Sequence, residues 1–533
     1  MSRSDRFATR VGLSLIALAA IALVGVAFGF HPVGDYFTES DFYGGYVTGA
    51  RGILHGQFDF GRYGIYGPLY ELVLAAVGGV LRDMFVAARA ISVVSALGVL
   101  ASSWWWARRR FGAAAAAWLV ALLAVNPTFV RYGYSASTDM LSFGCFALAL
   151  ALLLGHCGTP AAIIGGAVAG LAALTRYNLA SLVPGALLVW LARRPWPSGV
   201  RAAAGFALGF AVVVGAFAIP AARSGHIPGA MLFREARWYL EDAPAMRLEE
   251  RYGPVNPSPA TPAPPELAER LASRTLTGLA THARDDARLL LGWPVAGLVL
   301  SGLVWLIATR ATGPLGALAP PFVTVFVALA PVFYSERYSM VLMVFEMVPA
   351  ALALGLATGR KGARRVLALA AGTAALLASA HVCMQLQRLE YQSIPVESLA
   401  AGRAICAEAR PGDRVLTRKP QVAFTAGIEP VMFPDAGTLE ELGALCRRER
   451  VRYLYYSWYE LRLRPRFGYL LDTAAVVPGL TPINATANKP SATYRVGPEF
   501  GVTPAWWRDA GAREAIRARV NALIAPAMTA PPP

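Results

Sequence analysis

Two carboxylates two residues apart, Glu39 and Asp41, head a Tyr- and Gly-rich segment that runs through Tyr43 to Tyr66-Gly67-Pro68, after a first long apolar run. In an extended backbone such side chains share a face, and the pair can hold one proton or bind a divalent cation. In a helix they point apart. One carboxylate within hydrogen-bond reach of a hydroxyl suffices as general base, which is the simpler claim. Asp41 equally suits capping of a helix that starts near Phe42.

Cationic side chains recur beside aromatic ones further along. Arg131-Tyr132 is followed by Thr138-Asp139, Arg176 sits in Thr175-Arg176-Tyr177-Asn178, Arg237 precedes Trp238-Tyr239, and Arg337 lies in Glu336-Arg337-Tyr338. Guanidinium groups grip phosphate through two parallel hydrogen bonds, and ionisable groups near membrane depth are costly enough to mark function. Interfacial snorkelling with a tyrosine belt is the plainer use of the same residues. His55 and His282 stand apart without ligand spacing, so a metal site stays open. No Walker loop, nucleophile elbow, HExxH or paired CxxC is found.

The elements that must position these groups are mostly membrane helices. The 533 residues are 56% hydrophobic and 15% charged, too apolar for an ordinary soluble surface. The +16 net charge comes from basic residues thinly spread between apolar runs, which excludes a nucleic-acid-binding patch. Only Lys361, Lys419 and Lys489 are lysines, so 46 of the 49 basic residues are arginine.

Arg3, Arg6 and Arg10 precede a first span, Val11 to Phe30, long enough at about 20 residues to be a retained helix rather than a cleaved signal. Further runs at 85–107, 112–130, 138–155, 160–175, 178–192, 200–222, 287–309, 314–334, 339–358 and 365–384 bring the expected crossings to about eleven. Leu69 to Leu81, short and containing Glu71, fits a re-entrant or interfacial helix. Arg108 to Arg110, Arg193, Arg194, Arg201, Arg310 and Arg360 to Arg365 then share the side of the N-terminus, which the positive-inside rule makes cytoplasmic. The acidic loop and the aromatic-flanked arginines fall outside, in the layout of a multi-pass bacterial inner-membrane protein.

The domains expected are therefore a membrane domain, 1–384, with outer loops at 31–84 and 223–286, and a soluble extracytoplasmic domain, 385–533. The second outer loop becomes Pro-rich from Pro254 to Pro265, as suits a flexible cover. In the soluble part, helices at Val396 to Ala409 and Leu439 to Arg448, strands at Arg414 to Thr417 and Tyr453 to Trp458, and a hairpin of Thr481 to Ala485 with Ala492 to Val496 predict a small α/β domain ahead of a disordered Pro-rich end. Cys406 and Cys446 can pair there if that domain is oxidised.

In order along the chain, these pieces resemble the GT-C superfamily of polyprenyl-phosphate-dependent glycosyltransferases, near the bacterial protein O-mannosyltransferases and lipid A aminoarabinose transferases. The resemblance rests on Asp41-Phe-Tyr-Gly-Gly-Tyr-Val-Thr-Gly-Ala-Arg51, Tyr66-Gly-Pro68-Leu-Tyr70, Asn126-Pro127, Ser137-Thr138-Asp139, Gly170-Leu-Ala-Ala-Leu-Thr-Arg176-Tyr and Glu336-Arg337-Tyr338. It implies a GT-C-like helical polytopic fold and an inverting sugar transfer outside the membrane, from a polyprenyl-phosphate donor to a hydroxyl or similar acceptor on a lipid, glycan or protein. Asp41 is the implied catalytic residue, with Glu39 beside it. Arg131, Arg176, Arg237 and Arg337 are the candidates to hold donor phosphate, with Asp139, Tyr43 and Tyr66 in support. Many relatives carry a second acidic residue directly after the Asp, where this chain has Phe42, so a divalent cation is only a possible cofactor. A transporter or flippase of lipid-linked saccharides is the competing expectation, although internal repeats and paired broken helices are not evident.

Overall fold

Each of the apolar runs is helical in the computed structural model, which describes residues 3–155, 158–229, 264–434 and 436–528. Among the described residues five helices are long and apolar enough to cross a membrane: Asp5–Phe30, Met84–Phe111, Trp196–Arg223, Glu336–Thr358 and Ala363–Cys406. Five shorter apolar helices accompany them, including Leu69–Leu81, Asp139–Gly155 and Thr159–Thr175.

Two of the expected crossings are bent rather than straight. Ala113–Ala124 and Pro127–Tyr134 meet at 68°. Pro127 supplies no N–H, and the Asn126 side chain accepts from the Phe129 N–H at 3.0 Å, so one helix ends and the next is capped at that point. Leu271–Leu290 and Trp293–Ala308 meet at 120°, at Gly292 with φ 75° and Pro294 close behind.

The described residues divide into two compact units: His31–Gly45 together with the residues from Leu389 onward, and the rest. In the membrane unit glycines let backbones touch. A Cβ on Gly166 would lie 1.9 Å from the Phe206 carbonyl oxygen and one on Gly209 would lie 2.1 Å from that of Ile163, so Thr159–Thr175 and Trp196–Arg223 pack as small-residue neighbours.

The second unit holds a five-stranded sheet of β1 (Arg414–Leu416), β2 (Glu429–Val431), β3 (Val451–Ser457), β4 (Leu480–Thr486) and β5 (Ser491–Val496) in the order β2-β1-β3-β5-β4. β1 runs parallel to β2 and β3, and β5 pairs antiparallel with β3 and β4. The expected helices, strands and closing hairpin are present, with β3 extending one turn of pleat earlier than its apolar core. Helix Gln421–Ala426 and β2 are additions, each too short to show a period, and Ala510–Met528 closes the domain by burying Ile516 and Val520. Cys406 is exposed, Cys446 is buried and both are free thiols, so the possible disulfide is not formed.

Candidate active site

The loop that carries Asp41 is built on itself. The Asp35 carboxylate accepts from the Phe37 and Glu39 N–H groups at 2.8 and 3.0 Å, a side-chain-mimicked turn. Glu39, 1% exposed, takes His31 Nε2 at 3.0 and 2.8 Å on its two oxygens and the Asp35 N–H at 2.8 Å. The Tyr43 hydroxyl accepts from the Gly34 N–H at 2.8 Å. Glu39 and Tyr43 thus brace the loop from inside.

Helix begins at Ser40, so Asp41 lies in a first turn and is exposed. Glu39 closes the turn ahead of this helix, so the two carboxylates do not sit on the extended backbone that would line both along one face. A π-helical turn, Phe42–Tyr46, follows and leads into Val47–Leu54. Such turns are uncommon and concentrate at functional sites. Phe42 and Tyr43 rest edge-on against Phe424, with centroids 5.8 and 5.1 Å away.

Lys419, 8% exposed, donates from Nζ to the Tyr36 carbonyl and to Ser40 Oγ, while Gln421 Nε2 donates to the Asp35 carbonyl at 2.9 Å. Burial, with the like charge of Arg418, brings the Lys419 ammonium down to about 7, against the pull of Asp35, Glu460 and Asp41.

A second centre lies in the membrane unit. Asp139, fully buried at the start of Asp139–Gly155, bridges two arginines: Arg176 Nη1 on Oδ1, and Arg337 Nε and Nη2 on Oδ2 at 3.1 and 3.0 Å. Two guanidinium charges against one carboxylate leave the group at +1. Arg176 also stacks over Tyr338 at 5.1 Å. Beside it the Glu336 carboxylate accepts from Thr128 Oγ1 at 3.0 Å and lies in the field of Arg131.

Tyr66 packs edge-on against Tyr46 at 5.0 Å, and Tyr46 against Tyr70 at 5.1 Å. Gly67 fixes that turn, because a Cβ there would lie 1.9 Å from the Leu174 carbonyl oxygen. One helical step on, the fully buried Glu71 carboxylate receives the Tyr63 hydroxyl at 2.8 Å and Arg62 Nη2 at 3.2 Å.

Residues 66–220 match the family model described as dolichyl-phosphate-mannose-protein mannosyltransferase. Among solved structures, the chain is similar to ArnT from Cupriavidus metallidurans bound to undecaprenyl phosphate, at 15% identity and TM-score 0.58 over 91% of this chain and 97% of that one. The chain has the GT-C glycosyltransferase fold. The oligosaccharyltransferase of Archaeoglobus fulgidus is similar as well, at 13% identity and TM-score 0.52 over 83% of this chain and 68% of that one. Its form tethered to an acceptor peptide with the NVT sequon gives 13% identity and TM-score 0.51 over 84% and 69%. No curated protein sequence matches. The family model covers 155 of the 533 residues, and the shared fold covers 91% of the chain.

Of the sequence-derived candidates, the fold brings Asp139, Arg176 and Arg337 into contact, with Arg131 beside them through Glu336, and places Glu39, Tyr43 and Asp41 in one loop. Arg237 lies outside the described residues. Among the described residues no group of three or more His, Cys, Asp or Glu side chains is placed to hold a metal ion. Lys419, Arg62 and Tyr63 were not foreseen. The rarity of lysine was the one signal for the first, and Glu71 inside an apolar run was a sign of the other two.

Proposed function

We propose that the chain moves a sugar from a polyprenyl-phosphate donor to a hydroxyl or similar acceptor at the extracytoplasmic face of a bacterial inner membrane, with inversion. The N-terminus is then cytoplasmic, and the soluble domain, starting near residue 385, lies outside. Asp41 takes the acceptor proton as the acceptor oxygen attacks the anomeric carbon from the side opposite the phosphate. The bond to the phosphate oxygen breaks in the same displacement, and its electron pair leaves with the phosphate.

The observation that carries this reading is the contrast between the two acidic residues of the loop. Glu39 is buried and spent on structure, while Asp41 is exposed at the head of a helix, where a carboxylate can reach a substrate. The arginine pair on Asp139 supports it: the net positive charge, in a partly dry setting, suits the negative charge that builds on the leaving phosphate. ArnT of similar fold is described as bound to undecaprenyl phosphate, and the archaeal oligosaccharyltransferase as tethered to an acceptor peptide, which favours the same donor and acceptor classes for this chain.

Sealed proteoliposomes given a panel of radiolabelled undecaprenyl-phosphate monosaccharides and membrane-extract acceptors test the proposal. Label on an acceptor, with free undecaprenyl phosphate released, is expected. Label that only crosses the bilayer would identify a flippase instead.

A further inference from the structure

Two side chains of one turn in the soluble domain hold the backbone just ahead of Asp41. The Thr417 hydroxyl shapes that turn, accepting from the Lys419 N–H at 3.2 Å and donating to the Lys419 carbonyl at 3.0 Å. From it Lys419 Nζ reaches the Tyr36 carbonyl and Ser40 Oγ, the latter at 3.3 Å, and Gln421 reaches the Asp35 carbonyl. The ammonium is enclosed by the rings of Tyr36, Phe37 and Tyr459, with centroids at 5.7, 5.3 and 5.1 Å. Tyr36 and Tyr459 are themselves stacked at 5.1 Å, and Trp458 meets Tyr36 edge-on at 6.1 Å. A buried ammonium is expensive, and a methionine or leucine would fill an aromatic cage more cheaply.

We propose that Lys419 is a positioning residue for Asp41: its charge-assisted donors clamp the Tyr36–Ser40 turn and so set where the neighbouring carboxylate meets substrate. This rests on the reading of Asp41 as the base. Ser40 is both the clamped residue and the one before Asp41, so a slack turn moves the first helical residues directly. Misplacing a reacting group by about 1 Å costs on the order of 100-fold in rate.

The clamp is also sensitive to proton concentration. The charged groups facing it are Arg418 on its own turn, Asp35 and Asp41 on the loop, and Glu460 on the helix Trp458–Leu461, where Glu460 is engaged by Arg464. With the ammonium titrating at about 7, the charge that strengthens its donors is lost through the neutral range. An arginine in its place stays charged throughout.

The test uses the full-length enzyme in proteoliposomes with the undecaprenyl-phosphate monosaccharide it accepts, comparing wild type, Lys419→Met, Lys419→Arg and Asp41→Asn from pH 6 to 9. Expected are a wild-type kcat that falls above about pH 7, a Lys419→Met kcat about 10- to 100-fold down at pH 6.5 with donor KM within about threefold, and a Lys419→Arg enzyme that keeps activity and loses the alkaline fall. A wild-type kcat in Lys419→Met, or an unchanged alkaline fall in Lys419→Arg, overturns the proposal; the second variant decides if the first does not fold. Active Asp41→Asn would instead overturn the assignment of the base. A dead Asp41→Asn beside a fully active Lys419→Met removes only the role of Lys419.

Discussion

Arg176 and Arg337 meet on the two oxygens of one fully buried carboxylate, Asp139, although they come from separate helix ends 161 positions apart by their numbering. Each guanidinium has five N–H donors in a fixed planar fork, which Asp139 orients in both groups. The carboxylate acts as a clip that keeps two like charges adjacent. A buried charge cluster of this kind is fragile to the loss of one member, because the remaining charges are left uncompensated.

Asp139→Ala is therefore expected to lower stability by about 3–5 kcal/mol and to raise donor KM. Removing Arg176 as well should recover part of the stability, since fewer like charges then face each other. Thermal unfolding of the detergent-solubilised single and double variants checks this; additive losses would contradict the shared clip.

Gly49 is a second sensitive point. A Cβ there would lie 1.8 Å from one Glu71 carboxylate oxygen and 2.4 Å from the other, and Glu71 is held by Tyr63 and Arg62. Gly49→Ala should cost about 1–3 kcal/mol and displace the helix that follows Asp41, with transfer reduced alongside. Combining it with Glu71→Ala should restore packing but not the lost hydrogen bonds. A Gly49→Ala enzyme with the wild-type unfolding midpoint would show that the contact is not tight.

Lys419 links stability to pH in a definite direction. Its pKa falls from the ordinary lysine value of 10.5 to about 7 on folding, so between those values the unfolded chain binds more protons. Stability from this group is fully present above about pH 10.5 and is lost as pH falls towards 7, at up to about 1.4 kcal/mol per pH unit. The unfolding midpoint of the wild type should thus climb relative to Lys419→Met between pH 7.5 and 9.5, while its activity declines over the same range. Parallel midpoint curves would count against a desolvated ammonium at this position.

The two thiols of the soluble domain should separate cleanly in labelling. Cys406 is exposed, whereas burial pushes the Cys446 thiol up to about 12. A maleimide at pH 7.5 should modify Cys406 quickly and leave Cys446 untouched until the domain unfolds. Rapid modification of both, or an intact mass showing a Cys406–Cys446 bond, would overturn the arrangement.

The long helices were legible because each is one uninterrupted apolar run, and the soluble strands because β3 is a compact aromatic stretch. The bends were not read as such, although Asn126-Pro127 and Gly292-Trp293-Pro294 carry the residues that make them. Within the site, the type and order of Asp41, Arg176 and Arg337 could be read, but their partners could not. Asp139 was named only as support, yet it organises both arginines across nearly 200 residues of sequence. Whether Glu39 and Asp41 share a face could not be read, because spacing alone does not tell helix from extended chain; the His31 and Asp35 contacts show how Glu39 is used. Lys419 reaches a loop 379 positions away from it, a pairing without any local pattern.

The most direct measurement is the single-turnover rate of sugar transfer from a radiolabelled undecaprenyl-phosphate monosaccharide by wild type, Asp41→Asn and Glu39→Gln, each shown to be folded by its unfolding transition. Asp41→Asn should lose at least about 1000-fold with donor binding retained, while Glu39→Gln should lose stability first and rate only in proportion. Transfer by Asp41→Asn within about tenfold of wild type would contradict the assignment of Asp41 as the base.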